Sequence, residues 1–404
     1  MSERKIDTFL QKQVKVGKMP FTWLDICFVA VIWVLALVAR LQFYPIVSGD
    51  YYGFLSKWMA QIQQYGAWNS LATRISDYSA PYMYLMCLVS WASNPMYALK
   101  TISVIFDFIA SIAMFMLVQE LTGDKRKSIF GMTLVLFCPT VMMNSAWWCQ
   151  CDSIYCTFIL FALYFFFKDK SALCCIFLGI AFSFKVQTVF ILPFIVMMWL
   201  KNRTIKLAHL LYIPLVFFVM QIPAWIAGRP ILDLLGIYFT QAGEYPYGTL
   251  RYPNIYEFFD ETMLHKHHQA EVGNWGLFFS LGIIGLLAYY ICDKKFKLDD
   301  TLMVTLALFS VCTVLYTMPH MHERYGYLVD LLVIVYALQR PGKAWVSALY
   351  ILLSMITYMR FLQGIYLLPF YVLAAVMLGL NIYVGYDLYA QIRANSLPDP
   401  KPGK

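Results

Sequence analysis

Charge is what this chain has least of. Only 13% of its 404 residues are Asp, Glu, Lys or Arg, against about 25% in an ordinary soluble domain. With 61% hydrophobic residues and a mean hydropathy of +0.62, too few charges remain to cover the apolar surface, which excludes a soluble globular fold. The opening residues, MSERKIDTFLQKQVKVGK, lack the small-residue cleavage site of a secretory signal peptide and read as a retained tail. No second Cys pair at metal-ligand spacing accompanies Cys149 and Cys151, and two Cys one residue apart rarely form a strain-free mutual disulfide. The 10 Cys, mostly inside apolar runs, therefore read as small hydrophobes. No repeat relates the two halves, which argues against an inverted-repeat transporter.

What the chain does have is long apolar runs. Segments 23–40 and 275–292 match the thickness of a bilayer core, and many Trp and Tyr sit at the ends of such runs, at headgroup level. Hydropathy predicts twelve spans, near 22–44, 97–120, 128–146, 153–168, 171–184, 187–200, 207–226, 273–292, 301–318, 323–339, 344–360 and 366–388. The runs 171–184 and 187–200 are short and read as a bent pair meeting beneath the outer surface. The run 81–91 is too short to cross and reads as an interfacial or re-entrant helix.

Basic residues fix the parity. With the amino-terminal tail inside and 81–91 not crossing, 21 of the 31 Lys and Arg fall in the two tails and in short inside loops at 123–127, 168–170, 201–206, 293–297 and 340–343. The other ten, among them Arg40, Lys100 and Arg229, are scattered, mostly singly. The net charge of +8 is thus spent on topology, and no nucleic-acid partner is expected. The expectation is an all-α polytopic membrane protein in the cell membrane, one domain over 1–404. Cytoplasmic tails at 1–21 and 389–404 flank it, with a long first outer loop at 45–96 and a large outer loop at 227–272.

Four polar clusters fall on the outer face. Asp50 follows Gly49 where the first span ends, and it reads as a general base or, more plainly, as a loop Asp; Tyr51 is beside it. Asp77 and Ser79 precede Pro81 and suit either substrate contact or a helix start. The stretch 144–153 carries Trp147, Trp148, Gln150 and Asp152, with the two Trp as belt aromatics or as a platform for a sugar ring. His320, His322, Glu323 and Arg324 interrupt the boundary between two apolar runs, where ionisable groups are costly and mark function. Arg324 suits phosphate because its planar fork bonds two oxygens, and the isolated Lys185 adds a second positive charge. The run His265–His268 among acidic residues matches no closed metal site and reads as a solvated loop; no cofactor is expected, with a divalent metal left open.

A base, a phosphate clamp and an aromatic platform outside the membrane suggest group transfer from a donor already carried across it. A polyprenyl-phosphate sugar fits, with its tail in lipid and its phosphate at headgroup depth. Arg324, His322, His320 and Lys185 would face the leaving phosphate, Asp50 would take the acceptor proton, and one base with in-line displacement implies inversion. The acceptor hydroxyl would belong to a cell-surface glycan, lipid or protein.

At these residues the sequence resembles a family. The stretch Asn144–Ser153, then Gly179–Gln187 with Pro193, and His320–Tyr325 are similar to motifs of the GT-C-fold glycosyltransferases, especially bacterial proteins related to the second mannosyltransferase of GPI-anchor synthesis. The resemblance covers most of 20–340. It implies a catalytic Asp at the start of the first outer loop, which falls on Asp50, and a short juxtamembrane helix, which falls on 81–91. The family often shows Gly where Cys149 stands, and one branch shows an acidic pair where Gly49-Asp50 stands, so the acceptor class stays open. The competing expectations are a lipid-linked-sugar flippase or transporter, and a glycan polymerase or ligase, which would need no carboxylate near the first span.

Overall fold

The computed structural model describes residues 9–17, 19–202, 204–241, 249–259 and 269–397. It is 78% helical with almost no sheet. A two-residue turn joins β1 (Gln13–Val16) to β2 (Met19–Thr22), antiparallel with Val14 opposite Phe21. The expected tail is thus partly folded onto the bundle, where Lys125 Nζ donates to the Pro20 carbonyl at 3.2 Å. Thr22 then caps α1 (Trp23–Leu41) through a reciprocal box: its Oγ1 accepts from Asp25 N at 3.2 Å, and Asp25 Oδ2 accepts from Thr22 N at 2.9 Å.

After a π-helical turn at Tyr51–Leu55, the segment between α1 and the next long helix carries α2 (Ala80–Leu88), with Pro81 in its first turn. The helix α3 (Pro95–Thr122) starts on the Asn94 cap and stops at Gly123, whose φ of 64° is the left-handed turn that lets Asp124 cap α4 (Lys125–Phe137) at once. Pro139 bends this segment by 48° into Pro139–Trp147. There follow α5 (Asp152–Phe167), α6 (Ser171–Phe184), α7 (Leu192–Asn202), α8 (Tyr212–Ile226), α9 (Gln269–Asp293), α10 (Asp300–Thr317), α11 (Tyr327–Gln339), α12 (Ala344–Gln363) and α13 (Phe370–Ala394).

Among the described residues seven helices are long and apolar enough to cross a bilayer, or eight if the bent pair is one span, so this is a multi-pass membrane protein. Each of the twelve expected spans coincides with helix, but length supports only this smaller number of full crossings. The short ones matter for the site. Helices α5, α6 and α11, of 16, 14 and 13 residues, rise only about 20–24 Å at 1.5 Å per residue, against about 30 Å of hydrocarbon.

Helices α5 and α11 share an orientation, and α6 runs the other way, ending at Lys185. The helix α5 starts at Asp152, beside Lys185, and ends at Lys168, which pairs with Glu120 in the last turn of α3. The helix α11 follows Arg324 and ends at Arg340, which pairs with Asp387 at 2.7 Å. One end of the bundle therefore gathers the basic loops, and the other gathers the polar clusters around Asp152 and Arg324. Buried charges brace the frame. Arg40 and Asp107, both fully buried, pair at 2.8 Å, and Ser145 donates to the same carboxylate at 2.6 Å. Lys100 Nζ donates to the carbonyls of Phe43, Tyr44 and Ile46 and fixes the exit from α1.

The segment 249–258 clips the polar end together. Leu250 N and Tyr252 N both donate to the Met321 carbonyl, at 3.1 and 3.2 Å, and Glu323 N donates to the Leu250 carbonyl at 3.2 Å. Tyr256 OH donates to the Thr317 carbonyl at 3.0 Å. This clip needs Gly276 in α9, where a Cβ would stand 2.2 Å from Tyr256 Oη and 2.8 Å from the Pro319 ring. Gly276→Ala is expected to destabilise by about 1–3 kcal/mol through overpacking, read as a lower thermal midpoint in detergent; an unchanged midpoint would mean that the clip yields freely.

Candidate functional site

Segments from five parts of the chain meet around one cavity of ≈ 510 Å³. Asp50 comes from the start of the π-helical turn that follows the exit from α1, Asp77 and Tyr78 from the loop before α2, and Gln150 from the break before α5. Lys185 comes from the break after α6, and His320, His322 and Arg324 from the turn before α11; all of them line the cavity. The backbone is irregular at these places. Asp50 and Trp148 each border a π-helical turn, and Cys149 and His320 adopt left-handed conformations, with φ of 66° and 61°. Such turns and strained residues cluster at functional sites. The left-handed φ also gives a reason why glycine suits position 149.

The charges form an alternating chain. Asp50 Oδ2 lies 3.3 Å from Arg324 Nη1, Arg324 Nε lies 3.8 Å from Asp152 Oδ2, and Asp152 Oδ1 receives Lys185 Nζ at 2.5 Å. Asn144 Nδ2 donates to Asp152 Oδ2 at 2.8 Å. Burial works against the charged form of Lys185, yet the Asp152 carboxylate outweighs it and raises the pKa of the ammonium. Glu323 takes no part in this chain: it faces His322, with Nδ1 at 3.8 Å, and its buried Oε1 has no hydrogen-bond partner.

One oxygen of Asp50 is fully engaged. Oδ2 accepts from Trp148 Nε1 at 2.9 Å and from Gln150 Nε2 at 2.6 Å as well as facing Arg324. Tyr78 OH donates to Gln150 Oε1 at 3.0 Å, so the amide is held at both ends. Three donors on one oxygen set the orientation of the carboxylate and leave Oδ1 toward the cavity, which Asp50 lines. Ser48 Oγ donates to the Trp148 carbonyl at 2.6 Å and ties the two segments together.

Other expected residues lie elsewhere. Trp147 stacks on Phe43 at 5.2 Å and is not among the residues lining the cavity. Trp148 is fully buried, with Phe361 stacked at 4.4 Å and the Arg324 guanidinium over its ring at 5.6 Å. The buried Trp148 indole acts as a donor to Asp50, and Trp147 is half-buried away from the cavity. Tyr51 packs against the hydrophobic core, and Asp152 and Glu323 sit behind the cavity wall, both buried. Asp77 does line the cavity, pairs with Arg74 at 3.7 Å, and accepts from Gln241 through its carbonyl. Aromatic side chains from Trp58, Tyr78, Tyr238, Tyr325 and Phe361 help to wall the cavity. Tyr78 and Tyr325 lie within stretches already marked in the sequence, whereas Trp58, Tyr238 and Phe361 did not stand out, because an aromatic in a membrane protein reads first as belt or core.

Burial pushes the His322 pKa below its ordinary value of 6.5, with Glu323 opposing. At neutral pH His322 is therefore a neutral hydrogen-bonding group, and the positive charges of the site are Arg324 and Lys185. Among the described residues no group of three or more His, Cys, Asp or Glu could hold a metal ion. The run His265–His268 lies outside the described residues. No model of a known protein family matches this chain, and no curated protein matches it.

Breaking the Lys185–Asp152 pair from one side should cost about 3–5 kcal/mol, because a buried charge is left alone. Asp152→Leu is expected to lower the thermal midpoint sharply, and Asp152→Leu with Lys185→Met to recover much of the loss. Additive losses in this double-mutant cycle would show that the two groups are not coupled.

Proposed function

We propose that this protein is an inverting glycosyltransferase that moves a sugar from a polyprenyl-phosphate donor to an acceptor hydroxyl at the outer face of the cell membrane. The observation that carries this reading is Asp50, with one carboxylate oxygen held by Trp148, Gln150 and Arg324 and the other toward a cavity that also presents Lys185 and Arg324. A base that need not reorient, facing two cations, suits a reaction in which a proton leaves one side and negative charge develops on the other.

In the proposed step the acceptor oxygen attacks the anomeric carbon and Asp50 Oδ1 takes its proton. The bond from that carbon to the phosphate oxygen breaks, and its electron pair stays on the phosphate. Arg324 and Lys185 receive this charge by loosening from Asp50 and Asp152, an exchange of carboxylate for phosphate that leaves no buried cation unpaired. Asp152 and Asn144 position the two cations from behind. No cofactor enters the scheme.

The outward orientation rests on charge and length. The basic loops lie at the end of the bundle away from the cavity, as the positive-inside rule requires of a cytoplasmic end with both termini inside. The short helices α5, α6 and α11 stop below the level that a full span would reach, which sinks the cavity to where a lipid-borne phosphate resides. The resemblance to GT-C-fold enzymes at Asn144–Ser153, Gly179–Gln187 and His320–Tyr325 points the same way.

Purified protein in detergent, offered a panel of polyprenyl-phosphate sugars with nucleotide sugars as controls, should release polyprenyl phosphate. Asp50→Asn should slow that release by about 10²–10⁴-fold, the usual contribution of a general base. Equal turnover by the two proteins would point to a ligase-like or polymerase-like reaction, and transbilayer movement of donor without turnover would point to a flippase.

A further expectation concerns pH. With its pKa below 6.5, His322 carries no charge at pH 7 and gains one only as the pH falls through that lowered value. His322→Gln should therefore weaken donor binding less than Arg324→Gln does at pH 7. A strong His322→Gln defect in the Michaelis constant that disappears as pH rises from 6 to 8 would contradict a neutral His322.

A further inference from the structure

Arg229 follows α8 and is 3% exposed, yet its Nε and Nη2 are shut from solvent without a hydrogen-bond partner. A guanidinium keeps its proton in proteins, so this is a permanent cation with unused donors, a costly arrangement in the absence of an anion. Its surroundings add positive charge. The turn at Gly228, with φ of 112°, lies against the strand of chain before Arg74, since a Cβ on Gly228 would stand 3.8 Å from the Ala72 Cβ. Burial, and then the like charge of Arg74, push the Arg229 pKa down, against the opposing pull of Asp233 and Tyr84, neither of which hydrogen-bonds Nε or Nη2. Arg74 is one-third exposed and reaches Asp77 at 3.7 Å, so the pair of guanidiniums opens to the surface on the Arg74 side.

The neighbouring surface is apolar. Trp225 and Ile226, at the end of the spanning helix α8, are 47% and 69% exposed, and Leu232 and Phe239, just beyond Arg229, are 80% and 85% exposed. Two neighbouring guanidiniums, on segments that touch at Gly228 and Ala72, beside exposed apolar side chains at a helix end match a phosphate that arrives with a hydrocarbon tail attached.

We propose that Arg229 and Arg74 form a second phosphate-binding site, separate from Arg324 and Lys185, that takes the headgroup phosphate of an anionic lipid on the outer rim of α8. The buried Arg229 supplies two donors to the phosphate oxygens, Arg74 closes over it from the solvent side, and the exposed side chains receive the upper part of the tails. The site stands whether or not the cavity transfers a sugar.

The test uses the full chain in neutral detergent and follows its thermal midpoint as phosphatidylglycerol, phosphatidylcholine or inorganic phosphate is added. Phosphatidylglycerol should raise the midpoint and the zwitterionic lipid should not. In Arg229→Gln the concentration needed should rise about 10- to 100-fold, the usual weight of charge-assisted hydrogen bonds, and Arg229→Lys should restore part of it. Stabilisation by inorganic phosphate alone, lost in Arg229→Gln, would overturn the lipid source and assign the site to a soluble anion. Equal stabilisation of wild type and Arg229→Gln by phosphatidylglycerol would overturn the site itself. If Arg229→Gln does not fold, Arg74→Gln, altered on the exposed side, must show the same loss, and its failure to do so would overturn the proposal equally.

Discussion

Four charges held largely out of water organise the polar end of this bundle. Asp50, Arg324, Asp152 and Lys185 come from separate segments and alternate in sign along one chain of contacts. Removing any of them from water alone would be costly, and pairing offsets that cost only if the segments that carry them meet. The pairing therefore acts as a constraint on the backbone: the exit from α1, the start of α5, the end of α6 and the turn before α11 are brought to one place. The same constraint prepares the site for an anion, because each cation is already desolvated and needs only to exchange one oxygen partner for another.

The backbone gives way where the charges require it. Helices α5, α6 and α11 stop short of a bilayer's thickness, π-helical turns border Asp50 and Trp148, and Cys149 and His320 take left-handed conformations. Irregular backbone at membrane depth is tolerated when it is buried in protein or lines a cavity, and here it does both. The segment 249–258 supplies the hydrogen bonds that the irregular turn at 317–323 cannot make within itself.

The outline was legible along the chain because each signal was local. Long apolar runs announced the helices, the short runs at 171–184 and 187–200 announced a break between them, and ionisable residues beside apolar runs marked Asp50, Lys185 and Arg324. The bend at Pro139 inside the expected span 128–146 went unread. Residues whose role depends on a distant partner were harder to read. Arg40, Lys100 and Arg229 looked like scattered single charges, although the first two brace the frame through Asp107 and through backbone carbonyls. Trp148 looked like a platform for a ring, and only its buried place under Phe361 shows it to be a hydrogen-bond donor to Asp50.

Composition and the spacing of apolar residues by themselves determined that the chain is a multi-pass helical membrane protein, because scarce charge and bilayer-length runs leave no other way to satisfy the backbone. They also set which loops are basic and which carry isolated polar residues. The tertiary structure decided which carboxylate faces which cation, which aromatics line the cavity, and how many helices are long enough to cross. Those outcomes depend on contacts between residues tens to hundreds of positions apart, such as Asp50 with Arg324, and no local pattern encodes a partner at that separation.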